Sequence, residues 1–193
     1  MPGKIALTFD DGPNPPYTEK ILDILKKANI KATFFVCGAN AKRHPETVKR
    51  TAKEGHLISN HTYYHRALPT KLGINYSEIN KTQKLIENLT SQKQKLYRPP
   101  WGHTPIWIRW YLKRQGFKII SYNAIGKDWQ AKITPTKIAT NVTSNVKNGS
   151  IILLHDGHNI DEGIDRSKTV AALQIIITGL KQKGFQFVSP LDL

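Results

Sequence analysis

Residues 5–37 read IALTFDDGPNPPYTEKILDILKKANIKATFFVC. Two apolar runs, IALTF at 5–9 and ATFFVC at 32–37, bracket a segment in which Ile21, Ile24, Leu25 and Ala28 fall at i, i+3, i+4 and i+7. That spacing puts the four on one face of a helix. Strand, helix, strand with short connections is a βα unit, which lays its two strands parallel.

The same alternation continues to the end of the chain. Further strand-like runs lie at 56–60, 95–98, 118–123, 150–155 and 185–188, making seven with the first two. Helical segments at 75–89, 104–117 and 134–147 fill the intervals, and Val170, Leu173, Ile177 and Leu180 mark another near the C-terminus. Thr134-Pro135 is a helix start, and Gly55, Gly116, Gly149 and Gly184 stand where helices stop. The pattern predicts an α/β fold in one domain, residues 1–193, with a parallel sheet. A doubly wound open sheet and a barrel both satisfy it. No GxGxxG follows the first strand, which argues against a dinucleotide-binding sheet.

Composition narrows the class. No apolar run is long enough to span a membrane. MPGK leads straight into the first strand, so either the protein is cytoplasmic or a leader or anchor was removed; the abrupt start favours a secreted or cell-envelope protein. Cys37 is the single cysteine, which excludes an intrachain disulfide and a CxxC metal site, and it reads as a buried strand residue. The formal charge of +15 invites an anionic partner. The basic residues are scattered, with no basic block interleaved with aromatics, so specific nucleic-acid binding is not expected. Attraction to an anionic cell envelope is the secondary reading.

In parallel α/β folds the carboxyl ends of the strands carry the active site. Here five strand ends carry unusual polar residues: Asp10-Asp11, SNHTYYH (59–65), RPPWG (98–102), GKDW (126–129) and LLHD (153–156). His61 and His65 are four apart, and with Asp11 they make a two-histidine, one-carboxylate metal set. Thr62 stands where a zinc protease would have its glutamate. Asp10 is then the neighbouring group that takes a proton from water, oriented by Arg98. RPPWG is a tight segment whose Trp101 N–H can face a developing oxyanion. His155 becomes the candidate acid, with Asp128 setting its tautomer and raising its pKa, and Trp129 walls the pocket. Asp156 is given no role.

TFDDG (8–12), HTYYH (61–65), RPPWG, DW (128–129) and LLH (153–155), in order, resemble the five motifs of the polysaccharide deacetylases, the NodB-homology or carbohydrate esterase 4 family. The resemblance runs from residue 5 to the C-terminal FVSPLDL. It implies a distorted (β/α)7 barrel and a divalent metal, usually zinc with Co2+, Mn2+ or Ni2+ as alternatives, on Asp11, His61 and His65. It implies Asp10 as base, Arg98 as its partner, His155 as acid, Asp128 as the acid's partner, and Trp129 and Leu153 as the lining of an acetyl pocket. The implied activity is removal of N-acetyl groups from N-acetylglucosamine units of peptidoglycan or chitin-type chains by a monomer; the alternative is an O-acetyl xylan esterase. Two departures stand out. Ile125 replaces an acidic residue common three places before Asp128, and Trp101 replaces the usual Tyr or Phe.

Overall fold

β1 (Lys4–Asp10) is the centre of the molecule, with six of its seven residues buried. Strand side chains alternate between faces, so Ile5, Leu7 and Phe9 enter the main hydrophobic core while Ala6, Thr8 and Asp10 share the other face. A strand covered on both sides is what a parallel sheet flanked by helices requires. The computed structural model describes residues 3–193.

Around β1 the chain runs through α1 (Tyr17–Ala28), β2 (Thr33–Val36), α2 (Gly38–Arg43), α3 (Pro45–Lys53), β3 (Leu57–Asn60), α4 (Ala67–Leu72), α5 (Tyr76–Thr90) and β4 (Leu96–Tyr97). After a 3-10 turn at Pro100–Gly102 come α6 (Ile106–Arg114), β5 (Lys118–Ile119), β6 (Ala124–Ile125), α7 (Pro135–Thr143), β7 (Ser150–His155), α8 (Ser167–Gln182) and β8 (Gln186–Phe187). Every strand pairing is parallel, in the order β5-β4-β3-β2-β1-β7-β6. β8 pairs with β1 at Lys4 and Ile5, on the edge that β2 takes up further along at Thr8–Asp10.

This is the seven-stranded barrel, left open between β5 and β6. The opening corrects one expectation. Of the run at 118–123 only Lys118 and Ile119 are strand, as β5 on β4, and Ala124–Ile125 just beyond the run form β6 on β7, at the opposite end of the sheet. The residues between them cross the gap, and the carbonyls of Ile120 and Ser121 accept hydrogen bonds from Arg98 rather than from a strand. The 185–188 run shrinks to the two residues of β8, outside the seven-strand path. The six-residue helices α2 and α4 are too short to leave a periodic signal.

The helix expectations hold. Ile21 and Leu25 of α1, and Leu173, Ile177 and Leu180 of α8, are buried against β1 and its neighbours. Each such side chain contributes roughly 1.5–3 kcal/mol by leaving water. Thr134 caps α7, its Oγ1 accepting from Lys137 N–H at 3.2 Å with Pro135 in the first turn.

Register fixes where function sits. Asp10 is level with Phe35 of β2 and His155 of β7, Val36 is level with Asn60 of β3, and Asn60 is level with Tyr97 of β4. The strands therefore end together, and the residues immediately after them form one rim.

Candidate active site

The rim collects the three expected ligands. Asp11 Oδ1 is 3.3 Å from His61 Nε2 and 3.3 Å from His65 Nε2, and the ligand atoms of all three lie within 4.8 Å of one another. Atoms bonded at about 2.0–2.2 Å to one tetrahedral ion stand about 3.3–3.6 Å apart. Two imidazoles and a carboxylate, all buried and converging on one point with both Asp11 distances at that spacing, fit a divalent metal.

The backbone is bent to achieve this convergence. Asp11 has φ 74°, which turns it out of line with β1; its N–H donates to Phe35 O and its carbonyl accepts from Asn40 Nδ2 at 2.7 Å. Thr62 and His65 are also left-handed, at φ 66° and 53°. So HTYYH is a coiled loop, and its two histidines meet across turns rather than along a helix. Asn60 anchors the loop, accepting from Thr62 N–H and donating to Ile79 O. Gly157 lies against the bend: a Cβ there would come 2.3 Å from Asp11 O.

Protonation follows from these contacts. His61 Nδ1–H donates to Arg98 O at 2.7 Å, which leaves Nε2 as a lone pair facing Asp11. Burial by itself raises the Asp11 pKa, but once the two imidazoles beside it carry protons, the His61 hydrogen bond and the charges of His65 and His61 bring it well below the usual carboxylate range. His65 is held neutral, its pKa lowered to about 4 chiefly by burial.

Asp10 has a different partner. Its Oδ1 accepts from Arg98 Nη1 at 2.7 Å, leaving Oδ2, 3.8 Å from His61 Nε2, as the oxygen on the ligand side. Arg98 is buried and held by several acceptors at once. Nη1 also donates to Thr8 Oγ1, Nε to Ile120 O and Nη2 to Ser121 O, and the guanidinium lies 4.1 Å over the Phe35 ring. It is a rigid post, since four of its five N–H groups are directed at fixed acceptors.

Across the rim, His155 Nδ1 donates to Asp128 Oδ1 at 2.8 Å, which leaves Nε2 for the cleft. Asp128 is itself held by His155 N–H and Thr169 Oγ1, both at 2.8 Å. Burial alone would lower the His155 pKa. The Asp128 charge and hydrogen bond outweigh it, with help from Asp11 and Asp10, and raise it to about 9. Trp129 stands edge-on to the His155 ring at 5.3 Å.

The cleft is lined by Asp10, Asp11, His61, His65, Trp101, Trp129, Leu153 and His155, so eight of the ten expected residues face it. Arg98 and Asp128 stand behind it. Trp101 is half-exposed, left-handed at φ 52°, and its ring packs 4.2 Å from that of His65. Ile125 sits on β6 level with Leu153. Cys37 lies just past β2 rather than in it, a buried thiol 3.9 Å from Asp11 Oδ1 whose pKa burial pushes well up.

Four residues with a place at this rim were not legible beforehand. Tyr122, His158 and Asn159 also line the cleft, on segments without secondary structure. Asp156 is buried beneath the Gly12 turn, accepts from Thr18 Oγ1, and has its pKa raised to about 7 by burial and by the negative charge of Asp11. Only its position one residue after His155 could have marked it.

The polysaccharide deacetylase family model matches residues 2–120. A Bacillus cereus peptidoglycan-N-acetylglucosamine deacetylase is 40% identical over 190 residues, 96% of this chain and 66% of that protein. The peptidoglycan-N-acetylmuramic acid deacetylase PdaC of Bacillus subtilis is 37% identical over 187 residues, 96% of this chain and 37% of that protein. The chain thus spans less than two thirds of both. The crystal structure of the Bc1960 peptidoglycan N-acetylglucosamine deacetylase superposes with TM-score 0.88 at 38% identity, covering 98% of this chain and 89% of that one.

Proposed function

The chain belongs to the polysaccharide deacetylase family, and on that premise we propose that it hydrolyses N-acetyl groups from glucosamine units of a glycan, peptidoglycan foremost, releasing acetate. One observation carries the reading: Asp10, fixed by Arg98, and His155, fixed by Asp128, flank a single Asp11-His61-His65 set in one cleft. Base, ligands and acid are the parts that amide hydrolysis needs.

Asp11, His61 and His65 would hold a divalent metal, which we assign as zinc from the imidazole and carboxylate donors. Such a cation would acidify a water and polarise the acyl carbonyl. Asp10 Oδ2 takes the proton of the attacking water, and Arg98 keeps the carboxylate aimed while it does so. Trp101 N–H donates to the oxyanion that develops on the carbonyl oxygen. His155 Nε2 gives its proton to the departing sugar nitrogen. An amine anion is a very poor leaving group, so an amide requires this proton where an ester does not. Trp129 and Leu153 close around the methyl of the acetyl group.

The relatives' peptidoglycan substrates and the net charge of +15 support action at the cell wall, where anionic polymers attract a basic enzyme. Acetate release from peptidoglycan, chitin oligomers and acetyl-xylan, with metal analysis of the purified protein, tests the reading. Turnover of the two N-acetylated substrates with bound zinc is the expected result, and turnover of acetyl-xylan alone overturns it.

A further inference from the structure

Seven of the eleven exposed large hydrophobic residues lie between positions 68 and 110. Leu68 (66% exposed) and Leu72 stand one turn apart on α4, and Ile74 (59%) follows it. Ile106 (74%), Trp107 and Trp110 (62%) project from α6. Trp107 Nε1–H donates to Leu72 O at 3.0 Å, joining the two groups into one apolar face. Buried Ile108 and Leu112 already supply the inward side of α6. The outward residues are therefore surplus to the core.

The rim of this face is cationic. The segments 66–75 and 99–116 contain Arg66, Lys71, Arg109, Lys113 and Arg114, and no carboxylate. The Arg114 guanidinium lies 4.7 Å over the Trp110 ring. IWIRWYLKR on α6 corrects the expectation of no basic block interleaved with aromatics, since it is one.

We propose that the α4–α6 face docks the domain onto an anionic lipid bilayer, with Leu68, Leu72, Ile74, Ile106, Trp107 and Trp110 entering the headgroup region and the five cations pairing with lipid phosphates. Exposed aliphatics, tryptophans and a Lys/Arg border without acids are the composition of an interfacial surface. Four of the six apolar side chains are aliphatic and offer a sugar neither hydrogen bonds nor stacking, which disfavours a glycan platform. A second copy is disfavoured because a two-fold contact would set the five cations against their equals. Trp101 stands in the same stretch of chain and lines the cleft, so docking would bring the cleft mouth close to the membrane surface.

The test is co-sedimentation with phosphatidylcholine vesicles, with and without phosphatidylglycerol, alongside acetate release from a soluble chitin oligomer. Wild-type protein is expected to sediment with the anionic vesicles, less so as salt rises, and not with the neutral ones. Ile106→Ser/Trp110→Ser is expected to weaken this partitioning by about tenfold or more with acetate release unchanged. Leu68→Ser on the other helix and Arg109→Glu on the rim are expected to weaken it in the same direction. Absence of wild-type sedimentation, or equal sedimentation of the double variant, overturns the proposal. So does a double variant that loses glycan binding, or one that dissolves a dimer formed by the wild type. The vesicle arm does not depend on turnover, so its failure is distinct from failure of the deacetylase reading.

Discussion

Asp10 and Asp11 are neighbours in sequence with separate partners, because the chain turns between them. Asp10 is the last residue of β1 and faces Arg98, whereas Asp11 is left-handed and faces two imidazoles. Asp10→Asn keeps the shape and leaves Asp11, His61 and His65 in place. It is expected to retain one equivalent of metal while acetate release falls by about 100- to 10,000-fold; His61→Ala is expected to lose the metal, both read by metal analysis beside the assay. His155 predicts a pH effect. As an acid it must be protonated, and with its pKa raised to about 9 it stays protonated through neutrality and loses its proton only above that value. The alkaline limb of kcat is therefore expected near pH 9. Removing the Asp128 charge removes the largest raising influence, so Asp128→Asn shifts the limb downward, toward the ordinary histidine value of about 6.5. An unmoved limb would mean that the proton donor is another group.

At the scale of elements, each site residue is placed by how a strand ends and by what packs behind the turn. Gly157, following β7, sits so close to the Asp11 carbonyl that no side chain fits. Gly157→Ala must push the Asp11 bend outward. It is expected to cost roughly 1–3 kcal/mol in denaturant unfolding and to weaken metal affinity, although residue 157 touches no ligand atom. Unchanged affinity would show that the bend tolerates movement. The long elements were readable because helices α1 and α8 bury a periodic face and strands β1 and β7 are continuous apolar runs. The two-residue strands β4, β5, β6 and β8 have no period to read. The sheet's opening between β5 and β6 depends on Arg98 capturing the carbonyls of Ile120 and Ser121, a contact made across 22 and 23 positions.

For the whole molecule, a metal bound by residues following β1 and β3 ties together two of the parallel strands at the centre of the fold. A ligand that binds only the folded state stabilises it by about 2.7 kcal/mol when present at about 100 times its dissociation constant. Chelation is thus expected to lower Tm, and readdition of the metal to restore it, while His61→Ala shows no such response; scanning calorimetry reads all three. Sequence by itself determined the βα alternation and the polar residue types at the strand ends, since these rest on local periodicity and on order along the chain. It also singled out ten candidate site residues, and eight of them line one cleft. Tertiary structure decided what no local pattern encodes: the left-handed turn that separates Asp10 from Asp11, the cleft-facing places of Tyr122, His158 and Asn159, the burial of Asp156, and the outward apolar face of α4 and α6. The physical reason is distance along the chain. Burial, charge coupling and strand register arise between residues far apart in sequence, and only the packing of the curled sheet and its helices brings them within reach of one another.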